Sequence, residues 1–598
     1  MDDHEAIFNR YISLRDRLLA ERNQEGFWSG RLATSALATA VAIVSLKVAG
    51  KEIDRERIAL GFNWLCRNIN TDGGYGDTLG SVSNVSTTLL CYGAIRYCQT
   101  GDNGLPVIQR IEAWLGEKGI TFNKETITGS ILNFYGKDYT FSIPILSMLI
   151  ICGIIPPSSA QKIPKLPFEL ALLPPSFYRF FNLHVVSYAL PALIAVGIYQ
   201  FTLRKRGGLP HISFRKLFVK SAIDKLDSLV PPSGGFLEAS PLTGFVSMCL
   251  IAAGVTENVT ISKGIEFLRN QQREDGGWPI DTDLSTWVTT LSIKALGSDI
   301  YEVLNEDEIN ILRNHLLRLQ FREKHPFNGA KPGGWGWTSY SGSVPDADDT
   351  SGAILALLEI YSGSKEEITA LQNGCRWLID IQNKDGGFPT FCKGFGKLPF
   401  DSSCADITGH SILALLKTAE QLNSKLSPEL LKKIDKSVLR AKEYLVENQR
   451  ADGSWVPLWF GNQLTDDKTN PVYGTAKVCT YLSDCIAFKR PEHDFLHEIA
   501  QLITKAQGFL ISQQNGDGSW GGSKGIPGSI EETSLALSAL TPGHEEICTK
   551  GLQWLERWEK LTPVPIGLYF AMLWYDEYLY PLIFYTEAIR RYLTLQSV

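Results

Sequence analysis

A seven-residue pattern, Gln-x-x-Asp-Gly-(Gly/Ser)-(Trp/Phe), recurs at Gln272–Trp278, Gln382–Phe388, Gln449–Trp455 and Gln514–Trp520. Eight residues before each Asp stands an aromatic-Leu pair: Phe267-Leu268, Trp377-Leu378, Tyr444-Leu445 and Phe509-Leu510. A degenerate copy runs from Trp64-Leu65 to Tyr75, and weaker remnants end at Trp28, Phe236 and Trp335. A repeating unit of this kind restricts the fold to a stacked or closed array, because one unit alone cannot bury its apolar face. The aromatic-Leu pair reads as the end of an amphipathic helix. Asp-Gly-Gly or Asp-Gly-Ser makes the turn, since glycine accepts positive φ. The terminal aromatic packs back on the turn, and Gln bonds free backbone groups at the helix end. A second, more apolar helix follows, entered through a threonine: Thr87, Thr289, Thr350, Thr408, Thr475 or Thr533. Helix pairs repeating every ~40–65 residues point to a solenoid or, if closed, an α/α barrel.

Those threonines supply a register. The residue two before each is Trp287, Asp348, Asp406, Tyr473 and Glu531 in the C-terminal half, and the inert Val85 before Thr87. If the inner helices line a barrel, these five side chains enter it at one end, and the chemistry concentrates in the C-terminal half. His410 follows Asp406 by four residues, one helical turn deeper on the same face.

Within that layer lies Asp346-Ala347-Asp348-Asp349-Thr350, three carboxylates within four residues. Buried so close together they cannot all ionise cheaply, so one is expected to hold its proton near neutral pH. A carboxylic acid kept protonated in a dry pocket is a Brønsted acid suited to protonating a carbon–carbon double bond. His410, bonded to Asp348, would orient the acid proton and, if charged, stabilise the carboxylate left behind. Trp287, Trp337, Trp335, Phe391 and Trp459 are candidate cation–π partners for a carbocation, with Trp287 and Trp337 foremost.

Composition narrows the alternatives. The net charge of −6 comes without a basic stripe or tail, which argues against a nucleic-acid partner. The 11 cysteines are scattered without a Cys-x-x-Cys pair, as expected of reduced thiols in the cytosol and not of a disulfide scaffold or zinc site. Phe141 to Ile155 is apolar but short for a bilayer span. Leu183 to Leu203 carries His184, Ser187 and Pro191. Both read as buried helices, with interfacial membrane contact as the alternative. The polar, acidic N-terminus does not read as a signal peptide.

The repeats and the acidic cluster resemble those of the squalene–hopene cyclase family of class II terpene cyclases. The Gln-to-Trp units resemble its QW motifs, and Asp346–Thr350 matches its DxDD motif. Lys331-Pro332-Gly333-Gly334-Trp335 matches the segment before it, and Asp406–His410 that carrying an accessory Asp and His. Tyr473-Gly474-Thr475, Trp459 and Trp287 also have counterparts, with about seven extra residues between Trp459 and Tyr473. The resemblance implies an all-α chain of two α/α-barrel domains. The catalytic one takes residues 281–598 together with the first helix, residues 1–20. Residues 21–280 form an inserted second barrel. It implies Asp348 as proton donor, Asp346 and Asp349 flanking it, His410 activating it, and Tyr473 near the reprotonation route. It further implies a lipophilic linear isoprenoid substrate, squalene giving a hopene-type polycycle, and no metal or organic cofactor. Monotopic attachment to the cytoplasmic side of a membrane, and a homodimer, complete the expectation.

There are departures from the family pattern. Val288 follows Trp287 where an Asp is usual, His184 falls where a substrate-facing Trp of the second domain would align, and Glu531-Glu532 replaces uncharged residues. The tail Ile566–Tyr575 follows the family only loosely. The segment after Arg204 is also short. These leave protonation-triggered cyclisation intact and open the substrate to a prenyl diphosphate or a prenylated aromatic. Asp466-Asp467-Lys468-Thr469-Asn470 is somewhat like a metal-binding motif of ionising terpene synthases, but reads as a solvated loop. A non-catalytic α/α-toroid binding protein is the alternative from another class.

Overall fold

The structure, a computed structural model, describes residues 3–99, 103–120, 127–135, 139–173, 190–205, 213–390, 401–541, 543–567 and 573–596. Phe391, His184 and part of the Ile566–Tyr575 tail lie outside the described residues. The chain divides into two units, one of Met1–Arg31, Asp283–Ser339 and Val344–Val598, the other of Leu32–Thr282 and Tyr340–Ser343.

In the first unit the helices Ser285–Leu296, Ala347–Glu359, Ala405–Gln421, Pro471–Cys485, Ile530–Leu540 and Tyr580–Gln596 each pack on the next, and the last packs on the first. This is a closed α/α barrel. Its inner helices are buried nearly all round, as Ile530–Leu540 shows at every position. The outer helices are amphipathic. Lys365–Ile381 and Pro428–Asn448 bury one stripe and expose the other. The first helix, Asp3–Ala20, packs on the last, Tyr580–Gln596, and Tyr11 donates to Asp299 at 2.5 Å. The second unit closes a smaller ring from Ala36–Ala49, Val85–Cys98, Tyr139–Ile151, Leu190–Lys205 and Ser240–Ala252.

The repeat is the device that joins neighbouring helix pairs. Each repeat Trp donates its indole N–H to the Leu carbonyl ten residues earlier: Trp278 to Leu268, Trp455 to Leu445, Trp520 to Leu510. The repeat Gln donates twice from one nitrogen. Gln382 reaches the Gly386 carbonyl at 2.7 Å and the Ser437 carbonyl of the next outer helix at 2.9 Å. Gln449 and Gln514 do the same to Leu502 and Ile547. Gly386 turns at φ +92°, and a Cβ there would stand 2.2 Å from the Arg440 carbonyl, so only glycine fits.

The threonine register is physical. Each repeat aromatic donates its backbone N–H to a threonine hydroxyl of an inner helix: Trp335 to Thr350, Phe388 to Thr408, Trp455 to Thr475, Trp520 to Thr533 and Trp28 to Thr289. One position differs from the sequence reading. Tyr75 donates to Thr88, not Thr87, so the N-terminal counterpart in that register is Ser86 and not Val85.

Candidate active site

The acidic motif opens the Ala347–Glu359 helix. Asp346 is its N-cap, accepting the Asp349 amide at 2.8 Å, and its own amide donates to the Trp335 carbonyl at 2.9 Å. The bond from Asp346 fixes where the next two carboxyls point. Asp346 and Asp349 are buried, and Asp348 alone keeps its side chain 23% exposed. Burial, then the charge of Asp346, pushes Asp349 well above the usual carboxylate range. Burial also pushes Asp346 up to about 7. Burial and crowding thus raise two of the three carboxyls, Asp346 and Asp349.

His410 Nδ1 lies 2.6 Å from Asp348 Oδ1. The i, i+4 spacing from Asp406 delivers it there from the neighbouring inner helix. Burial is the main cause that lowers the His410 pKa, only partly offset by the bond to Asp348, and its ring stacks on Tyr481 at 4.5 Å. Asp406 accepts the Cys404 thiol at 2.6 Å, and burial, then the charge of Asp348, pushes its carboxyl up to about 6. Tyr473 enters the same end of the barrel, fully buried against Phe460.

The aromatic candidates separate. Trp287 stands edge-on to His410, centroids 6.1 Å apart, and donates its indole N–H to Tyr580 at 3.1 Å. Trp459 donates to Tyr575 at 3.2 Å, and Tyr575 is bonded to Tyr580. The Trp337 ring is half-buried, and its carbonyl accepts the amides of Thr286 and Trp287 at the start of their helix. Trp335 is placed otherwise. Its fully buried ring lies against Gly374 of an outer helix, and its N–H donates to the Leu316 carbonyl. That is the packing of a repeat tryptophan between helix layers and not of a cation-facing ring. Asp467 spends one carboxylate oxygen on the Thr469 amide and hydroxyl, closing its own turn.

Several residues of the site carry no motif. Lys477 and Tyr481 follow Tyr473 by four and eight residues and share its face. Lys477 Nζ stands 5.8 Å from the centroids of Trp287 and Tyr473, 5.7 Å from Tyr481 and 5.1 Å from Phe584. Tyr575 and Tyr580 come from the last inner helix and the segment before it, which no repeat announces.

The chain is similar to known proteins over most of its length. The squalene-hopene cyclase C-terminal domain matches residues 284–561, and the squalene-hopene cyclase N-terminal domain matches residues 13–228. A terpene cyclase–glycosyl transferase fusion protein of Humicola fuscoatra is 24% identical over 89% of this chain and 45% of its own length. This chain thus spans about half of that relative. A probable squalene–hopene cyclase of Sinorhizobium fredii is 23% identical over 100% of this chain and 98% of that protein. Among solved structures, ent-copalyl diphosphate synthase from Arabidopsis thaliana is similar over 85% of this chain and 65% of its own. It has 18% identity and a TM-score of 0.40.

Proposed function

The chain belongs to the squalene–hopene cyclase family, and from that premise we propose that it cyclises a linear polyprene by protonation, with Asp348 as the acid. The observation that carries this reading is the 2.6 Å contact of His410 Nδ1 with Oδ1 of the one open carboxyl in the acidic motif. With Nδ1–H donating to Oδ1, the acid proton sits on Oδ2. The alkene π pair takes that proton, forming a C–H bond and a tertiary cation, and leaves Asp348 as a carboxylate held by His410. Successive double bonds then attack in a prefolded chain, oriented by the barrel wall. Trp287, which packs edge-on to His410, is the ring we propose for the cation. Loss of a proton or capture of water ends the reaction.

Squalene, giving a hopene-type polycycle, is the substrate we propose. A chain so apolar partitions into bilayers, so peripheral attachment at the cytoplasmic side of a membrane belongs to the proposal. Among the described residues no helix is long and apolar enough to cross a membrane. The test is incubation of purified protein with squalene in detergent and a chelator, read by gas chromatography–mass spectrometry. A cyclic product from the wild type and none from Asp348→Asn is expected. Turnover by that variant would remove Asp348 from the mechanism. Intact squalene with the wild type would exclude squalene and turn the assay to prenylated aromatics and diphosphates. Sedimentation with liposomes tests attachment, and protein left in the supernatant would refute it.

A further inference from the structure

Behind His410 the barrel interior is not apolar. Lys477, on the inner helix Pro471–Cys485, is buried, with one hydrogen bond, to the Tyr481 hydroxyl at 3.4 Å. Among the described residues no carboxylate stands within ion-pair distance of it. Lys294, by contrast, is paired with Glu587 at 2.7 Å, and Arg591 with Asp484 at 2.8 Å. Four aromatic rings surround the Lys477 ammonium instead. Two of them, Trp287 and Tyr481, are the same rings that pack on the His410 imidazole. The ammonium and the imidazole are thus near neighbours that share two ring partners.

A buried cation without an ion-pair partner is costly and calls for a counterpart. The reaction creates one. When Asp348 gives up its proton, a carboxylate appears at the His410 imidazole. We propose that the Lys477 ammonium is the positioning charge of this site: it keeps His410 neutral and stabilises the Asp348 carboxylate once its proton has left. This rests on the reading of Asp348 as the acid. It puts the stabilising charge on Lys477 instead of on a charged His410. A neutral His410 holding its N–H on Nδ1 still donates to Oδ1, which leaves Oδ2 to carry the acid proton.

The surroundings agree. Burial and then Lys294 bring the Lys477 pKa down to about 8, while Glu587, and Asp348 and Asp406 when they are ionised, hold it up, so it is mostly charged at neutral pH. Lys477 and Lys294 both disfavour a charged His410, secondary to burial. Tyr473 and Tyr481 are phenols that burial keeps protonated. From the adjoining helix Ile530–Leu540 the titratable groups are Glu531 and Glu532, in its first turn. The outer helix His493–Gln513 points His493, Asp494 and Lys505 to solvent.

The test uses the full chain with Lys477→Met and Lys477→Arg. Cyclic product is measured from pH 6 to 9.5. The wild type is expected to lose activity as pH rises through about 8, when the ammonium is lost. Lys477→Met should lower kcat about tenfold with little change in KM, the weight of one charge at such range in a protein interior. It should also lack the fall near pH 8. Lys477→Arg should restore kcat and stay active above that pH. Wild-type kcat and pH profile in Lys477→Met, or an Arg variant as slow as the Met variant, would overturn the proposal.

A second readout needs no turnover. With 13C-labelled histidine, the His410 resonance is assigned by its absence in His410→Asn. Its titration should move up by about one pH unit in Lys477→Met and stay low in Lys477→Arg. An unmoved His410 would refute the inference even in an active enzyme. A shifted His410 in a protein that cyclises no polyprene would uphold the electrostatic inference and count against the proposed reaction instead.

Discussion

Asp406→Asn should gain stability relative to the wild type as pH rises from acid to neutral, while harming its chemistry. The carboxyl is buried, and burial followed by the charge of Asp348 lifts its pKa from 3.8 to about 6. The sign follows from linkage. Between those values the unfolded chain has released this proton and the native state still holds it. Stability contributed by the group is therefore present below 3.8 and is lost as pH rises to about 6. The interval is worth on the order of 3 kcal/mol, most of it lost between pH 4 and pH 7. Asparagine has nearly the shape of the protonated acid and no proton to lose. Its amide oxygen can take the Cys404 thiol, with an imperfect fit costing about 1 kcal/mol.

The difference in stability between variant and wild type should therefore move in the variant's favour by about 2 kcal/mol between pH 4 and pH 7. Subtracting the wild-type trend removes the titrating groups that do not interact with Asp406. Thermal unfolding followed by circular dichroism at several pH values reads this as a rising difference in Tm. A two-unit chain need not unfold in one step, so the transition sensitive to the variant is the one to follow. A constant difference across pH would show that Asp406 titrates normally and that its burial costs nothing. A loss at every pH would make it a structural acid, held for its bonds and not for its proton.

Three further outcomes follow from the same contacts. His410→Gln should keep the fold and lower kcat about 100-fold, because the Asp348 proton loses its orienting partner. A wild-type rate in the cyclisation assay would remove His410 from the machinery. Gln382→Leu strands the Gly386 and Ser437 carbonyls in a buried joint and should cost about 3 kcal/mol, visible as a lower Tm in the unit containing that barrel. Gly386→Ala should destabilise by more than about 3 kcal/mol, since its Cβ would clash with the Arg440 carbonyl. Gly363→Ala, also at positive φ but with only the tip of Lys425 nearby, should cost about 1 kcal/mol. Equal losses at the two glycines would show that φ alone decides.

The readable parts of this chain are those built by repetition. The Gln and Trp of each unit bond to backbone at fixed offsets, so their spacing in sequence is their geometry in space. The same spacing fails where the repeat decays. Aromatic and threonine stand 13 residues apart at Trp520 and Thr533 but 20 apart at Trp455 and Thr475. With that variation and two adjacent threonines, the sequence cannot choose Thr87 or Thr88 for Tyr75. Trp335 misleads for a related reason. It lies eleven residues before Asp346, which invites a catalytic role, yet Gly333-Gly334 makes it a turn residue first, with its ring between the helix layers. The site itself was half legible. The step of four that leads from Asp406 to His410 also leads from Tyr473 to Lys477 and Tyr481, so a signal for the buried ammonium was present. A lysine on an inner face is read as solvated unless its four ring partners are seen. Those partners come from four residues on three helices, Trp287, Tyr473 with Tyr481, and Phe584, and no local pattern brings them together. Tyr580 had no signal, because the last inner helix follows no repeat, and Tyr575 had only its place in the loosely matching tail. Its place in the ring is set by packing on Ile530–Leu540, Ser285–Leu296 and the first helix of the chain.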